Sequence, residues 1–196
     1  ADVRRFVHFS SGAVHRRGFG GPAKQAYARM KADHEQMAAD WAGRNSIGLL
    51  TPRVFNLGGP YINQVSAYAL GDFIQAARRD GRIVIGAPDP VFRSYVHVCE
   101  MAEVVLDAAL KPDAPSQPFD IAGAEVVELG ALACAVGAAL GMDELAVDRP
   151  PPSGGEDDWY VGDGRAYQTA LFQAGAVPVP LERIIADTAA YLAGRS

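Results

Sequence analysis

Apolar and polar positions along the chain alternate between two periods. Phe6-Val7-His8-Phe9 is a short apolar run ending in Ser10-Ser11-Gly12, which predicts a buried strand with small polar residues at its end. A Gly-rich connection follows. From Ala23 to Ala42 the chain is rich in Ala, Lys, Gln, Arg and Met, with Pro22 suited to the first turn, so a long helix is expected to about Gly43. Ile47 to Phe55 reads as a second buried strand, with Pro52 expected to interrupt its ladder because it has no N–H to donate. Beyond the Gly58-Gly59-Pro60 turn the pattern predicts helices over 66–80, 100–110, 128–140, 163–174 and 180–192. Short strands are expected at 82–86, 92–98 and 119–123. Arg149-Pro150-Pro151-Pro152-Ser153-Gly154-Gly155 is the strongest breaker.

Composition narrows the class. Hydrophobic residues make up 49% and charged residues 21% of the 196, which is ordinary for a globular chain. A net charge of -5 argues against a general nucleic-acid binder, which would present a basic face. No apolar run reaches membrane-spanning length, so no membrane partner is expected. Cys99 and Cys134 lack metal-ligand spacing, and no metal site is expected. Two cysteines fit buried thiols in a reducing compartment, hence a cytoplasmic location, better than a disulfide framework.

The candidate chemistry lies at the first strand and the helix after it. Tyr27 and Lys31 are four residues apart and share a helix face. An ammonium beside a phenol favours the phenolate, and a tyrosine so placed can act as a general acid or base. Ser11, at the strand's end, could hydrogen-bond the reacting oxygen. The tyrosine and lysine alone would also suit an ordinary solvated helix face. Along the same helix Met30, Met37 and Trp41 form an apolar stripe, open to either a partner subunit or the chain's own core.

Four segments in order carry a resemblance: Phe6 to His15 with Ser11, Tyr27-x-x-x-Lys31 followed by Glu35, Arg53-Val54-Phe55-Asn56-Leu57-Gly58-Gly59-Pro60, and Arg93-Ser94-Tyr95-Val96-His97-Val98. Together they resemble the extended short-chain dehydrogenases/reductases, the NAD-dependent epimerase/dehydratase group that acts on nucleotide sugars. The resemblance implies an α/β fold. It would be the C-terminal part of a doubly wound, Rossmann-like parallel sheet with a smaller α+β substrate-binding lobe. Residues 1–60 would belong to the NAD(P)-binding domain and 61–196 mainly to the lobe, with 93–123 returning to the sheet. The glycine-rich strand-turn-helix that opens the family is not in this sequence, so the chain is expected to be a fragment or to lack its N-terminal half.

The resemblance also implies roles. Ser11, Tyr27 and Lys31 would be catalytic. Tyr27, Lys31 and the backbone near Phe55 would face the nicotinamide end of NAD or NADP. Asn56, Arg93 and Arg149 would contact the diphosphate of a nucleotide-sugar substrate, arginine being suited to it by its two-pronged donor. His97 would be structural. The Tyr27 helix would pack against its copy in a homodimer. A dehydratase of this group adds an acidic residue beside the serine; Gly12 and Ala13 stand here, which favours epimerase, reductase or decarboxylase. Two other readings stay open: an NADP-dependent reductase of a non-nucleotide carbonyl compound, and a non-catalytic remnant used for binding.

Overall fold

A computed structural model describes residues 3–18 and 20–194. In chain order the elements are β1 (Arg5–Val7), β2 (Ser10–Ser11), α1 (Pro22–Arg44), β3 (Gly48–Leu50), β4 (Pro52–Val54), β5 (Leu57–Gly58), α2 (Ala69–Asp80), β6 (Arg82–Val84), β7 (Val91–Ser94), β8 (Val96–His97), α3 (Val98–Leu110), β9 (Phe119–Ile121), β10 (Val126–Glu128), α4 (Leu129–Ala139), β11 (Ala146–Asp148), β12 (Asp158–Tyr160), α5 (Arg165–Gln173) and α6 (Leu181–Ala193). Short 3-10 turns occupy Gly12–Arg16 and Val65–Ala67. The chain forms two compact units. The first comprises the residues up to Phe55, Glu100–Ala122 and Gly162–Val177; the second comprises Asn56–Cys99, Gly123–Val161 and the residues from Pro178 onward.

The first unit holds a parallel sheet. β1 pairs with β3, and β2 pairs with β4, which pairs with β9. Val7 stands opposite Leu50 and Ser10 opposite Arg53, so the register is unchanged across the gap at Thr51. The interruption expected at Pro52 is therefore a break of one or two rungs without a slip. Side-chain alternation splits the faces. Phe6 meets Trp41 of α1 edge-on at 5.7 Å, whereas the Arg5 guanidinium donates to the carbonyls of Ala108, Ala109 and Lys111 at the end of α3. A cation there complements the negative end of the helix dipole. α5 is fixed by Tyr167, whose buried hydroxyl donates to the Glu100 carboxylate at 2.7 Å.

Helix α1 does not stop at Gly43. Ile47 N–H bonds Ala42 O and Ser46 N–H bonds Gly43 O, with Ser46 at φ 53. This is a Schellman termination in which serine, rather than the usual glycine, takes the left-handed position. Helix α2 starts at Ala69, not Ser66, because Tyr68 is extended and the preceding residues form the separate 3-10 turn. Cys99 and Cys134 are free and exposed, not buried. The reason is helical phase: α3 buries Glu100, Met101, Val104, Val105 and Ala108, and α4 buries Leu132, Ala133, Val136 and Gly137.

The second unit is α+β. β6 pairs with β11 and β5 with β8, both parallel; β7 lies between antiparallel β10 and parallel β12. Its core is built by Leu70, Phe73 and Ile74 of α2, Leu132 and Val136 of α4, and Ile184 and Ile185 of α6 around Ile83, Ile85 and Tyr95. Among the described residues no helix is long and apolar enough to cross a membrane, and no group of three acidic, histidine or cysteine residues could hold a metal ion.

Ser94, at 0% exposure, leaves its hydroxyl without a hydrogen-bond partner in this unit. A buried polar group left unsatisfied costs about 1–3 kcal/mol. Ser94→Ala is therefore expected to raise unfolding stability by about 1 kcal/mol in urea titration; a loss of that size would show that the hydroxyl is satisfied in solution.

Candidate active site

Ser11 ends β2 and caps the 3-10 turn that follows, its Oγ accepting from Ala13 N–H at 3.2 Å. The hydroxyl hydrogen remains available to donate. On α1, Tyr27 is 45% exposed, and the Lys31 ammonium lies 6.0 Å from the centre of its ring. That ammonium donates to Phe9 O at 3.3 Å, two residues before Ser11. Lysine thereby ties the helix to the strand that carries the serine. Phe55, just beyond β4, is buried with its ring against Gly12 and Gly162 and with His15 stacked on it at 6.0 Å. Ser11, Tyr27, Lys31 and Phe55 all belong to the first unit.

Three residues fix the helix against the sheet. Glu35, one turn beyond Lys31, receives two hydrogen bonds from Arg53 of β4, at 2.8 and 2.6 Å. Its Oε1 also accepts from the Ser10 hydroxyl at 2.5 Å. Burial alone would push the Glu35 carboxyl up, but the hydrogen bonds from Arg53 and Ser10 and the arginine's charge outweigh it and hold the carboxyl below its ordinary value. The same carboxylate raises Arg53. Beside this cluster, Asp120 of β9 bonds His15 Nε2 at 2.9 Å and accepts from Asp163 N–H at 3.0 Å. The sequence placed Glu35 and Arg53 in its motifs but gave no role to any of these positioning groups; a signal exists, since Arg53 and Asp120 are charges inside apolar strand runs, and such charges require partners.

The remaining candidates lie in the second unit. Asn56 donates from Nδ2 to Ser94 O at 3.1 Å, and its backbone carbonyl accepts from Val96 N–H. Arg93 on β7 donates to Phe92 O, Asp158 O and the Asp158 carboxylate. Arg149 donates to Ala87 O, Asp89 O and the Glu128 carboxylate. Each arginine is thus held by a carboxylate and two carbonyls. Of five guanidinium N–H groups this leaves donors for another acceptor. His97 accepts from Cys99 N–H through Nδ1, with Asp187 3.3 Å from Nε2.

Because the Glu35 carboxyl is depressed in the folded state, its contribution is full above its ordinary value of 4.5 and is lost as pH falls through the lower folded value. Glu35→Gln is expected to cost about 2 kcal/mol at neutral pH, the pair being only partly shielded from water. Denaturant melts at descending pH should bring the two proteins together; a gap that stays constant into acid would mean that the carboxylate's charge contributes nothing.

Solved structures that match nearly the whole chain include three UDP-sugar 4-epimerases. A UDP-N-acetylglucosamine 4-epimerase from Methanobrevibacter ruminantium M1, in complex with UDP-N-acetylmuramic acid, is 18% identical with a TM-score of 0.77, over 98% of this chain and 64% of its own. A UDP-glucose 4-epimerase from Thermotoga maritima, with UDP-glucose, is 21% identical with a TM-score of 0.75, over 98% and 64%. A UDP-glucose 4-epimerase from Thermus thermophilus, in complex with NAD, is 20% identical with a TM-score of 0.74, over 99% and 65%. At such identities the likeness is one of fold: α/β and Rossmann-like. This chain spans about 64% of the length of the first of them. No curated protein matches the sequence. The model of the NAD dependent epimerase/dehydratase family matches residues 1–122, well over half of the sequence, and the chain belongs to that family.

Proposed function

We propose that this chain carries the catalytic serine, tyrosine and lysine of an NAD(P)-dependent enzyme that oxidises and reduces the sugar of a nucleotide diphosphate. The observation that carries the reading is Lys31, whose ammonium sits 6.0 Å from the Tyr27 ring and 3.3 Å from Phe9 O, just before the short strand Ser10–Ser11. The cofactor implied by the family fits these residues. Only one of the three ammonium donors of Lys31 is engaged by Phe9 O. The other two suit a ribose diol, and the exposed Tyr27 phenol is open to a ligand. Tyr27, Lys31 and the backbone at Phe55 would hold the nicotinamide end. When bound, a nicotinamide dinucleotide supplies the hydride acceptor and donor.

Tyr27 takes the proton from the sugar hydroxyl during oxidation and returns it to the keto oxygen during reduction. Ser11 orients that oxygen through its hydroxyl. Lys31 holds the tyrosine side of the site in place through its bond to Phe9 O. Arg93 and Arg149 offer their remaining N–H groups to the diphosphate, and Asn56 assists through its carboxamide oxygen. The chemistry is of the epimerase, reductase or decarboxylase type. The two exposed, unpaired cysteines suit a reducing, cytoplasmic setting.

The same reading includes a homodimer through α1. Met30, Met37 and Trp41 are exposed on it, and Met37 and Trp41 line an apolar groove of about 410 Å³ with Phe6, His8, His34 and Ala38. Exposed apolar surface of this kind marks an interaction site. Light scattering over a concentration series is expected to show a dimer that Met37→Asp weakens; a monomer throughout would remove this part of the proposal.

Tyr27→Phe removes only the hydroxyl. Turnover of a UDP-sugar with NAD by the purified protein is expected to fall by roughly 10²–10⁴-fold, with KM little changed. A Tyr27→Phe protein with ordinary kcat would sink the assignment.

A further inference from the structure

The Pro- and Gly-rich strap from Arg149 to Gly155 is pinned at both ends by one residue, Asp89. At its start Arg149 donates through Nη2 to Asp89 O at 2.5 Å and through Nε to Ala87 O at 2.8 Å. At its far end the Asp89 carboxylate accepts from Ser153 N–H at 2.9 Å, Gly154 N–H at 3.0 Å and Gly155 N–H at 3.2 Å, and from the Ser153 hydroxyl. All of these residues belong to the second unit. Consecutive N–H groups that converge in this way form a concave anion site, and here a side chain of the same unit fills it.

The sequence is fitted to this arrangement. Gly154 takes φ 76, where a side chain is strained. A β-carbon at Gly155 would stand 2.7 Å from Asp89 Oδ2. Between the pinned ends Pro150, Pro151 and Pro152 restrict the backbone. The residues from Pro150 to Gly155 are exposed, so the bonds to Asp89 rather than apolar burial set their path. The Ser153 hydroxyl holds the Asp89 carboxyl below its ordinary value, against the upward push of desolvation and together with the three N–H groups.

Arg149 stands where the strap leaves β11. With its bond to Glu128, three of its five N–H groups are in use, and two remain for a ligand. Their direction depends on where the strap runs. A strap free to move would have to be ordered when the ligand binds, at a cost in affinity. We propose that Asp89 is a positioning residue for the substrate: by fastening both ends of the strap it holds the Arg149 guanidinium in the orientation that receives the diphosphate. This inference rests on the substrate reading proposed above and goes beyond it, since Asp89 acts without touching the ligand. The sign of the effect separates this role from one of charge alone. Removing a carboxylate near an anion site would by itself tighten diphosphate binding, whereas loss of a fastening weakens it.

Calorimetric titration of the purified protein with UDP tests the role. Asp89→Ala is expected to raise the dissociation constant by on the order of 10-fold. Gly155→Ala leaves every charge in place but crowds Asp89 Oδ2, and should weaken binding in the same direction. Arg149→Ala is also expected to weaken it. Adding Asp89→Ala to that background should change the constant by under about 2-fold, because both residues act through one guanidinium. Unchanged or tighter binding by Asp89→Ala, or the same factor in both backgrounds, overturns the positioning role alone. Natural protein that takes up no UDP, or Arg149→Ala that binds it normally, removes the substrate reading and this inference with it. Amide hydrogen exchange reads the fastening separately. Faster exchange at residues 153–155 in Asp89→Ala supports it, and equal exchange in the two proteins overturns it.

Discussion

The carboxylate of Glu35 joins three pieces of the first unit that are far apart in sequence. It grips Arg53 of β4 through two nitrogens and takes the hydroxyl of Ser10 in β2, with side-chain exposures of 11% for the glutamate and 21% for the arginine. Charge at that depth is tolerated because the pair is matched and the lone pairs are used. The geometry around it follows. Ser10 adjoins Ser11, Glu35 lies one turn beyond Lys31, and Arg53 lies two residues before Phe55. One ion pair therefore holds in place the strand end, the helix face and the ring slot from which the proposed site is built. Alanine-rich α1 buries only Ala28, Ala38 and Ala42, so its apolar seam is narrow and a polar anchor has more to do than in a Leu-rich helix.

Polar pairs also organise the second unit, with a different result. Arg93 and Arg149 are each locked to a carboxylate, Asp158 and Glu128. A guanidinium held in advance loses less freedom on meeting a phosphate. Glu128 serves two ends at once, since it also caps α4 by accepting from Gly130 N–H at 2.6 Å, and these bonds, against the upward push of its burial, hold its carboxyl below the usual range. The acids that balance the arginines are thus part of the architecture, which explains how a chain of net charge -5 can still direct cationic groups at fixed points.

Family membership comes from residues 1–122, and the fold from the chain as a whole. At 18–21% identity the solved structures pass on architecture rather than specificity. What distinguishes this chain must lie in its own departures, such as Gly12 beside the serine. At Gly12 the departure is bound to a second residue, Phe55, so the pair has to be considered together.

The sequence by itself determined the local elements and their kind. Period and turn chemistry announced the strands at Phe6 and Ile47, the long Tyr27 helix and the interruption at Pro52, because these depend on residues a few positions apart. The spacing of Tyr27 and Lys31 and the order of four motifs were enough to indicate the family. Helix phase told which cysteines would face outward only once the packing partners were known, and thiols expected in the core proved exposed. Partners distant in sequence were decided by tertiary structure alone: Glu35 with Arg53 and Ser10, His15 with Asp120, and Phe55 between Gly12 and Gly162. So was the folding of Gly162–Val177 into the same unit as the first 55 residues. The physical reason is common to all of them. A charge or a ring in an apolar strand declares that it needs a partner, but which residue supplies it depends on strand register and helix placement, and these are fixed by packing across the whole unit rather than by neighbours along the chain.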